Sequence, residues 1–169
     1  MNAKEIEAVF YQVFFEHYQT VLVGGYTEPF YGCSKKNTDS HRICYRFDYV
    51  ASALHEVAHW CIAGKNRRKL DDYGYWYSPD GRDNAQQKNF YKVEALPQAL
   101  EKYFHQCIGS KDFHLSLDNL GSELLEEDIS SFKGLVDDYF DKIMRGVMPV
   151  RAKEFSQKLK ELSLARQNV

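Results

Sequence analysis

The sequence of 169 residues contains no run of about 18 apolar residues, so no stretch of it reads as a membrane-spanning helix. Its first residues, Met1-Asn2-Ala3-Lys4-Glu5, open an amphipathic pattern and lack the apolar centre of a secretory leader. The four cysteines, at 33, 44, 61 and 107, include no C-x-x-C pair, which argues against a cysteine-rich zinc module. Free thiols and no leader make the cytoplasm the expected setting. A formal net charge of −2 offers no global basic field, so neither nucleic acid nor a membrane is an expected partner. Repeats, low-complexity tracts and linkers are also missing, and residues 1–169 are expected to form a single domain. Aromatic residues are abundant instead: 12 Tyr, 11 Phe and 2 Trp favour a packed core and an aromatic-lined pocket.

The chain is organised around residues 47–64, which contain His55-Glu56-x-x-His59. On a helix, residues four apart stand one above the other on the same face. Both imidazoles can then reach one metal ion, with Glu56 beside a metal-bound water. Asp48 is the expected N-cap and Gly64 the expected residue past the C-terminus. Val50, Ala51, Leu54, Val57, Ala58 and Cys61 fall on one apolar arc, with the histidines at its edge. Cys61 therefore reads as a buried free thiol.

Before this helix, Ile6, Val9, Phe10, Val13 and Phe14 predict a core-packing helix over 3–18, with Lys4, Glu5, Glu7 and Gln12 on its polar side. Short strands are expected at 20–23, ended by Gly24-Gly25, at 28–31 on a sheet edge because of Pro29, and at 41–47. After it, residues 64–69 read as a basic turn, either a solvated helix end or a docking patch for an acidic partner. In residues 71–83 acids alternate with aromatics. This stretch is either a structural loop or a pocket wall for a cationic ligand. A helix over 84–95 is expected to end before Pro97, with a further helical pattern through Leu100, Tyr103, Phe104 and Cys107. Residues 110–121 read as a loop or short strand. Helices are predicted at 124–144 and 150–164, the second with Arg151, Lys153, Lys158, Lys160 and Arg166 on a solvated face.

Two imidazoles do not complete a catalytic metal site. Glu94 is the best third ligand: it lies on the next predicted helix, flanked by Val93, Ala95 and Leu96, where an unpaired carboxylate is costly. Glu101 reads as a solvated surface glutamate. A His, His, Glu set suits zinc, with Glu56 as general base of a peptidase, and equally Fe(II) in an oxygen-activating site. No histidine is followed two residues later by an acid, so the common oxygenase arrangement of His-x-Asp/Glu on a strand is absent.

From Tyr49 to Glu101 the chain closely resembles the bacterial elongation factor P hydroxylases. The residues that carry the likeness are Ala51-Ser52-Ala53-Leu54-His55-Glu56, His59-Trp60-Cys61-Ile62-Ala63-Gly64-Lys65, Gly74-Tyr75-Trp76-Tyr77, Pro79-Asp80-Gly81-Arg82-Asp83 and Pro97-Gln98-Ala99-Leu100. Asp118-Asn119-Leu120 is similar as well, whereas residues 32–41 depart in length. The resemblance implies an α+β, zincin-like fold, mostly helical, with a small sheet preceding the metal-binding helix. It also implies a metal held by His55, His59 and Glu94; the resemblance does not fix the ion, and Fe(II) is expected, with zinc as the other option and molecular oxygen as the expected oxidant. The implied reaction is hydroxylation of the elongation factor P lysine that carries a β-lysyl group. Tyr75, Trp76, Tyr77, Asp80, Arg82 and Asp83 are the expected substrate-binding residues, since aromatic faces and acids together hold ammonium groups.

Overall fold

The computed structural model describes residues 1–34, 39–74, 84–117 and 126–167. Helix α1 (Ala3–Tyr18) leads into strands β1 (Thr20–Tyr26), β2 (Phe30–Gly32) and β3 (His41–Arg46), and then into helix α2 (Val50–Ile62). Two 3-10 turns, Arg67–Lys69 and Asp71–Gly74, precede α3 (Asn84–Cys107), α4 (Glu126–Met144) and α5 (Val150–Gln167). The fold class is α+β as expected, mostly helical, with the small sheet ahead of the His55 helix. Among the described residues no helix is long and apolar enough to cross a membrane.

Helix α1 starts as its sequence dictates. Asn2 and Glu5 cap each other reciprocally, Asn2 Oδ1 accepting the Glu5 N–H and Glu5 the Asn2 N–H. Glu7, expected on the polar side, instead turns toward the sheet. Its carboxylate accepts the Gly24 N–H at 3.0 Å and the Tyr45 hydroxyl at 2.8 Å. Burial works against its charge, but Lys4, Tyr45 and Gly24 hold its pKa below the ordinary range. The sheet order is β1-β3-β2, with β1 parallel and β2 antiparallel to β3. The central strand buries Ile43, Cys44 and Tyr45 in succession, while β2 takes the edge that Pro29 predicts. The glycines do not end β1. A Cβ at Gly24 would stand 2.5 Å from the Phe47 carbonyl, so the strand passes through a spot only glycine fits.

Helix α2 is covered by β3, α1, α3 and α5. Ala53, Leu54, Val57, Ala58 and Trp60 are fully buried. Trp60 is the hub of an aromatic cluster, with Phe10, Phe14 and Tyr18 at 5.0, 4.8 and 5.1 Å between ring centroids. Such pairs add about 0.5–1.5 kcal/mol each beyond area burial. The helix begins one residue later than Asp48 implies: Tyr49 is the N-cap and makes no side-chain cap bond. Phe47 takes a left-handed turn (φ 49°), which uses Asp48 in the turn, and Ser52 Oγ accepts the Arg46 N–H at 3.0 Å instead. At the other end Gly64 follows the Ala63 cap without a positive φ.

Two arginines close that end. Arg151 from α5 donates to the carbonyls of Trp60, Cys61 and Ala63 at 3.0, 3.0 and 2.6 Å, and its guanidinium lies 4.8 Å from the Trp60 ring centre. Arg68 also donates to Ala63 at 2.6 Å. Arg151 therefore does not belong to a solvated face, nor Arg68 to a solvated turn; both neutralise the negative end of a buried helix. Lys160, likewise expected in solvent, bonds the Tyr103 hydroxyl at 2.7 Å.

Pro97 lies inside α3 rather than ending it. The proline removes the donor to the Val93 carbonyl, at a cost of about 3 kcal/mol. The helix persists because Glu94, Ala95, Pro97, Gln98, Ala99 and Leu100 are all buried, so tertiary packing outweighs the local preference. The last two helices run Glu126–Met144 and Val150–Gln167, close to their expected spans.

Replacing Arg151 by Ala leaves the α2 carbonyls short of donors, and charged hydrogen bonds of this kind contribute about 1.5–3 kcal/mol each. The expected loss is about 2–4 kcal/mol in urea unfolding. Arg151→Lys should restore only part of it, because one ammonium lacks the fork that reaches all the carbonyls.

Candidate metal centre

His55 and His59 project from one face of α2, as their spacing requires, and α3 brings Glu94 against them. His55 Nε2 stands 3.0 Å from His59 Nε2, and Glu94 Oε2 stands 3.5 and 3.4 Å from the two nitrogens. The donor atoms all lie within 4.8 Å of one another, and no cysteine joins the group among the described residues. Atoms sharing one ion at about 2.0–2.2 Å stand about 2.8–3.6 Å apart when their bonds diverge by about 90–110°. The observed separations meet that requirement. Two imidazole nitrogens facing each other beside a buried carboxylate are also a donor set that suits zinc or Fe(II).

Glu101 is not solvated. It is 5% exposed, and its Oε2 takes the His55 Nδ1–H at 2.9 Å. A carboxylate behind a ligating imidazole sets its tautomer and leaves Nε2 free to coordinate. Sequence reasoning missed this residue, yet a signal existed. Glu94, Gln98, Glu101 and His105 recur along one face of α3 and are 7, 2, 5 and 2% exposed. A polar stripe of that kind is normally read as facing water; here the helix is buried on this side too. Gln98 holds residue 116 by a pair of bonds, donating to the Ser116 carbonyl at 2.9 Å and accepting its N–H at 3.0 Å.

Glu56 follows His55 on α2 and receives no hydrogen bond from the described residues. Burial raises its carboxyl pKa, and the neighbouring His59 and His55 offset this only in part. The Asp71–Gly74 turn settles the first part of the acid-aromatic stretch. Asp71 accepts the Cys33 N–H at 2.7 Å and Asp72 the Tyr31 N–H at 2.8 Å, while Tyr73 stacks on Tyr31 at 4.4 Å. Asp72 and Tyr73 both have positive φ, 45° and 58°, a strained backbone that these bonds hold in place. Tyr75, Trp76, Tyr77, Asp80, Arg82 and Asp83 lie outside the described residues. A cavity of about 580 Å³ opens beside His59. Ile62, Val93 and Pro97 form apolar walls, and Lys65, Asn66 and Arg67 lie at the end of α2.

The family model described as elongation factor P hydroxylase matches residues 9–167. The elongation factor P lysine hydroxylase of Haemophilus influenzae is 40% identical over 156 residues, 92% of this chain and 86% of that protein. Neither comparison supports the peptidase alternative.

A pH dependence follows for the metal-free protein. Burial opposes charge on His55, but Glu101 and Glu94 outweigh it and raise its pKa well above 6.5. Burial likewise opposes charge on Glu94, yet His59 and His55 hold its pKa below 4.5. The His55 contribution is complete below pH 6.5 and is lost as pH rises through the raised value. The Glu94 contribution is complete above pH 4.5 and is lost as pH falls through the lowered value. Chelator-treated protein should therefore draw on both between these limits and lose stability from this cluster above neutrality. Added metal must displace the His55 proton, so proton release should accompany binding in buffers of different ionisation enthalpy. Stability unchanged with rising pH, with no proton released, would contradict the assignment.

Proposed function

The chain belongs to the elongation factor P hydroxylase family, and on that premise we propose that it is a metal-dependent enzyme that hydroxylates a lysine of translation elongation factor P. The substrate side chain would be the lysine already extended by a β-lysyl group. His55, His59 and Glu94 would hold a divalent metal, Fe(II) in preference to zinc. When bound, that metal supplies activation of molecular oxygen. The observation that carries the reading is the convergence of these three donors within 4.8 Å on a helix with H-E-x-x-H. The enzyme would act in the cytoplasm as one domain, with no role for nucleic acid or membrane.

The remaining residues divide the work. The cavity beside His59 has walls of Ile62, Val93 and Pro97 that suit the methylenes of an extended lysine. Its described rim carries Lys65 and Arg67 and no carboxylate, so the ammonium groups need acids from elsewhere. Asp80 and Asp83, with Tyr75, Trp76, Tyr77 and Arg82, are the proposed source. Glu56, its carboxyl pKa raised by burial, is suited to hold and pass a proton beside the histidine pair.

The test uses lysylated elongation factor P with protein purified without air, Fe(II), oxygen and a reductant. Intact-mass analysis should show one added oxygen on an uncleaved chain. Glu94→Ala should lose metal and turnover together while remaining folded. No mass gain with the parent protein would overturn the function, a cut chain would mark a peptidase, and full metal content in Glu94→Ala would overturn the ligand set.

A further inference from the structure

A line of polar side chains runs from behind His55 toward the surface. Glu101 Oε2 takes the His55 Nδ1–H at 2.9 Å, and its Oε1 faces His105 Nε2 at 3.9 Å. His105 Nδ1 lies 3.3 Å from Ser110 Oγ, which also accepts the Asp112 N–H at 3.1 Å and lies 3.2 Å from Asp112 Oδ2. His105, Ser110 and Asp112 line a second cavity of about 360 Å³. His105 is 2% exposed, and its Nε2 has no hydrogen-bond partner among the described residues.

We propose that Glu101 is a positioning residue for the metal centre, and that the His105–Ser110 pair holds it in place. An ionised carboxylate only accepts, so it selects the His55 tautomer with Nδ1–H and presents the Nε2 lone pair on the other side of the ring. The same carboxylate decides the state of His105. A lone pair on Nε2 would face the negative Oε1, whereas an Nε2–H faces it favourably. The single Ser110 hydroxyl hydrogen then turns from Asp112 Oδ2 to His105 Nδ1, while Oγ still accepts the Asp112 N–H. A buried glutamate serving packing alone needs no histidine aimed at its second oxygen, and an unpartnered buried nitrogen is unfavourable unless a charge faces it. The 3.9 Å gap makes His105 an electrostatic brace and not a hydrogen-bond partner. It keeps Glu101 from swinging off His55 while leaving the His55 bond as the short one.

This inference rests on the metal reading above, and the test separates the two. Zinc affinity is measured by chelator competition, with turnover and unfolding in parallel. Glu101→Gln should bind zinc about 10–100-fold more weakly and lower kcat, with KM for elongation factor P unchanged. In proton spectra of the zinc-loaded parent, the His55 Nδ1–H should resonate far downfield against the Glu101 carboxylate, and Glu101→Gln should shift it upfield. His105→Phe should weaken zinc by a smaller factor, and the double variant should match Glu101→Gln alone, because both act through one contact. Zinc affinity within twofold of the parent in folded Glu101→Gln would overturn the proposal and leave the metal site standing. A parent that binds no zinc would overturn both. Should Glu101→Gln fail to fold, His105→Phe decides: unchanged affinity and an unchanged His55 spectrum would overturn the positioning line.

Discussion

Helix α2 has to carry two imidazoles into a core that covers it from several sides, and that constraint shapes the rest of the structure. A buried helix strands carbonyls at its C-terminus. Arg151 and Arg68 converge on that end, each stacked near Trp60. The guanidiniums meet the carbonyls with charge and the indole with their faces, so one arrangement satisfies both the polar end and the aromatic cluster. Moving α5 would uncap α2, which ties that helix to the histidine pair.

The same constraint explains α3. An isolated histidine pair in such a core would be unfavourable, and α3 answers with acids on the face that meets α2. Glu94 comes to the front of the pair and Glu101 to the back of His55. These acids are themselves buried, so they need the histidines as much as the histidines need them. That mutual dependence keeps α3 straight enough through Pro97: ending the helix at the proline would separate Glu94 from Glu101 and break the pairing.

How much of this the sequence shows depends on whether a signal is local. The first helix appears over its expected residues because its capping box and its 3.6-residue periodicity sit within one segment. The convergence of His55, His59 and Glu94 was legible for a similar reason: a fixed spacing, and a carboxylate among apolar residues. Glu101 was not legible. Its neighbours Lys102 and His105 make it look solvated, and only the approach of α2 changes its meaning. Arg151 misleads in the same way, since a basic residue in the first turn of an exposed-looking helix carries no mark of the distant carbonyls it will meet. Pro97 is the converse, a strong local signal overruled by burial on both sides.

The two histidines consequently differ although the motif writes them alike. His55 is held from behind by Glu101 and has its orientation decided before any ligand arrives. His59 lines the larger cavity, next to the turn of α3 that Pro97 interrupts. The centre thus has a fixed side and an open side. The open side is where α3 lacks one of its own hydrogen bonds, at the Val93 carbonyl, and where Ile62, Val93 and Pro97 form apolar walls. A lysine arm entering there would meet methylene-compatible surface first and the donor set last, with its charge left for residues outside the wall. Among the described residues α3 marks the asymmetry: its acids lie against one face of the pair, and its proline lies beside the other.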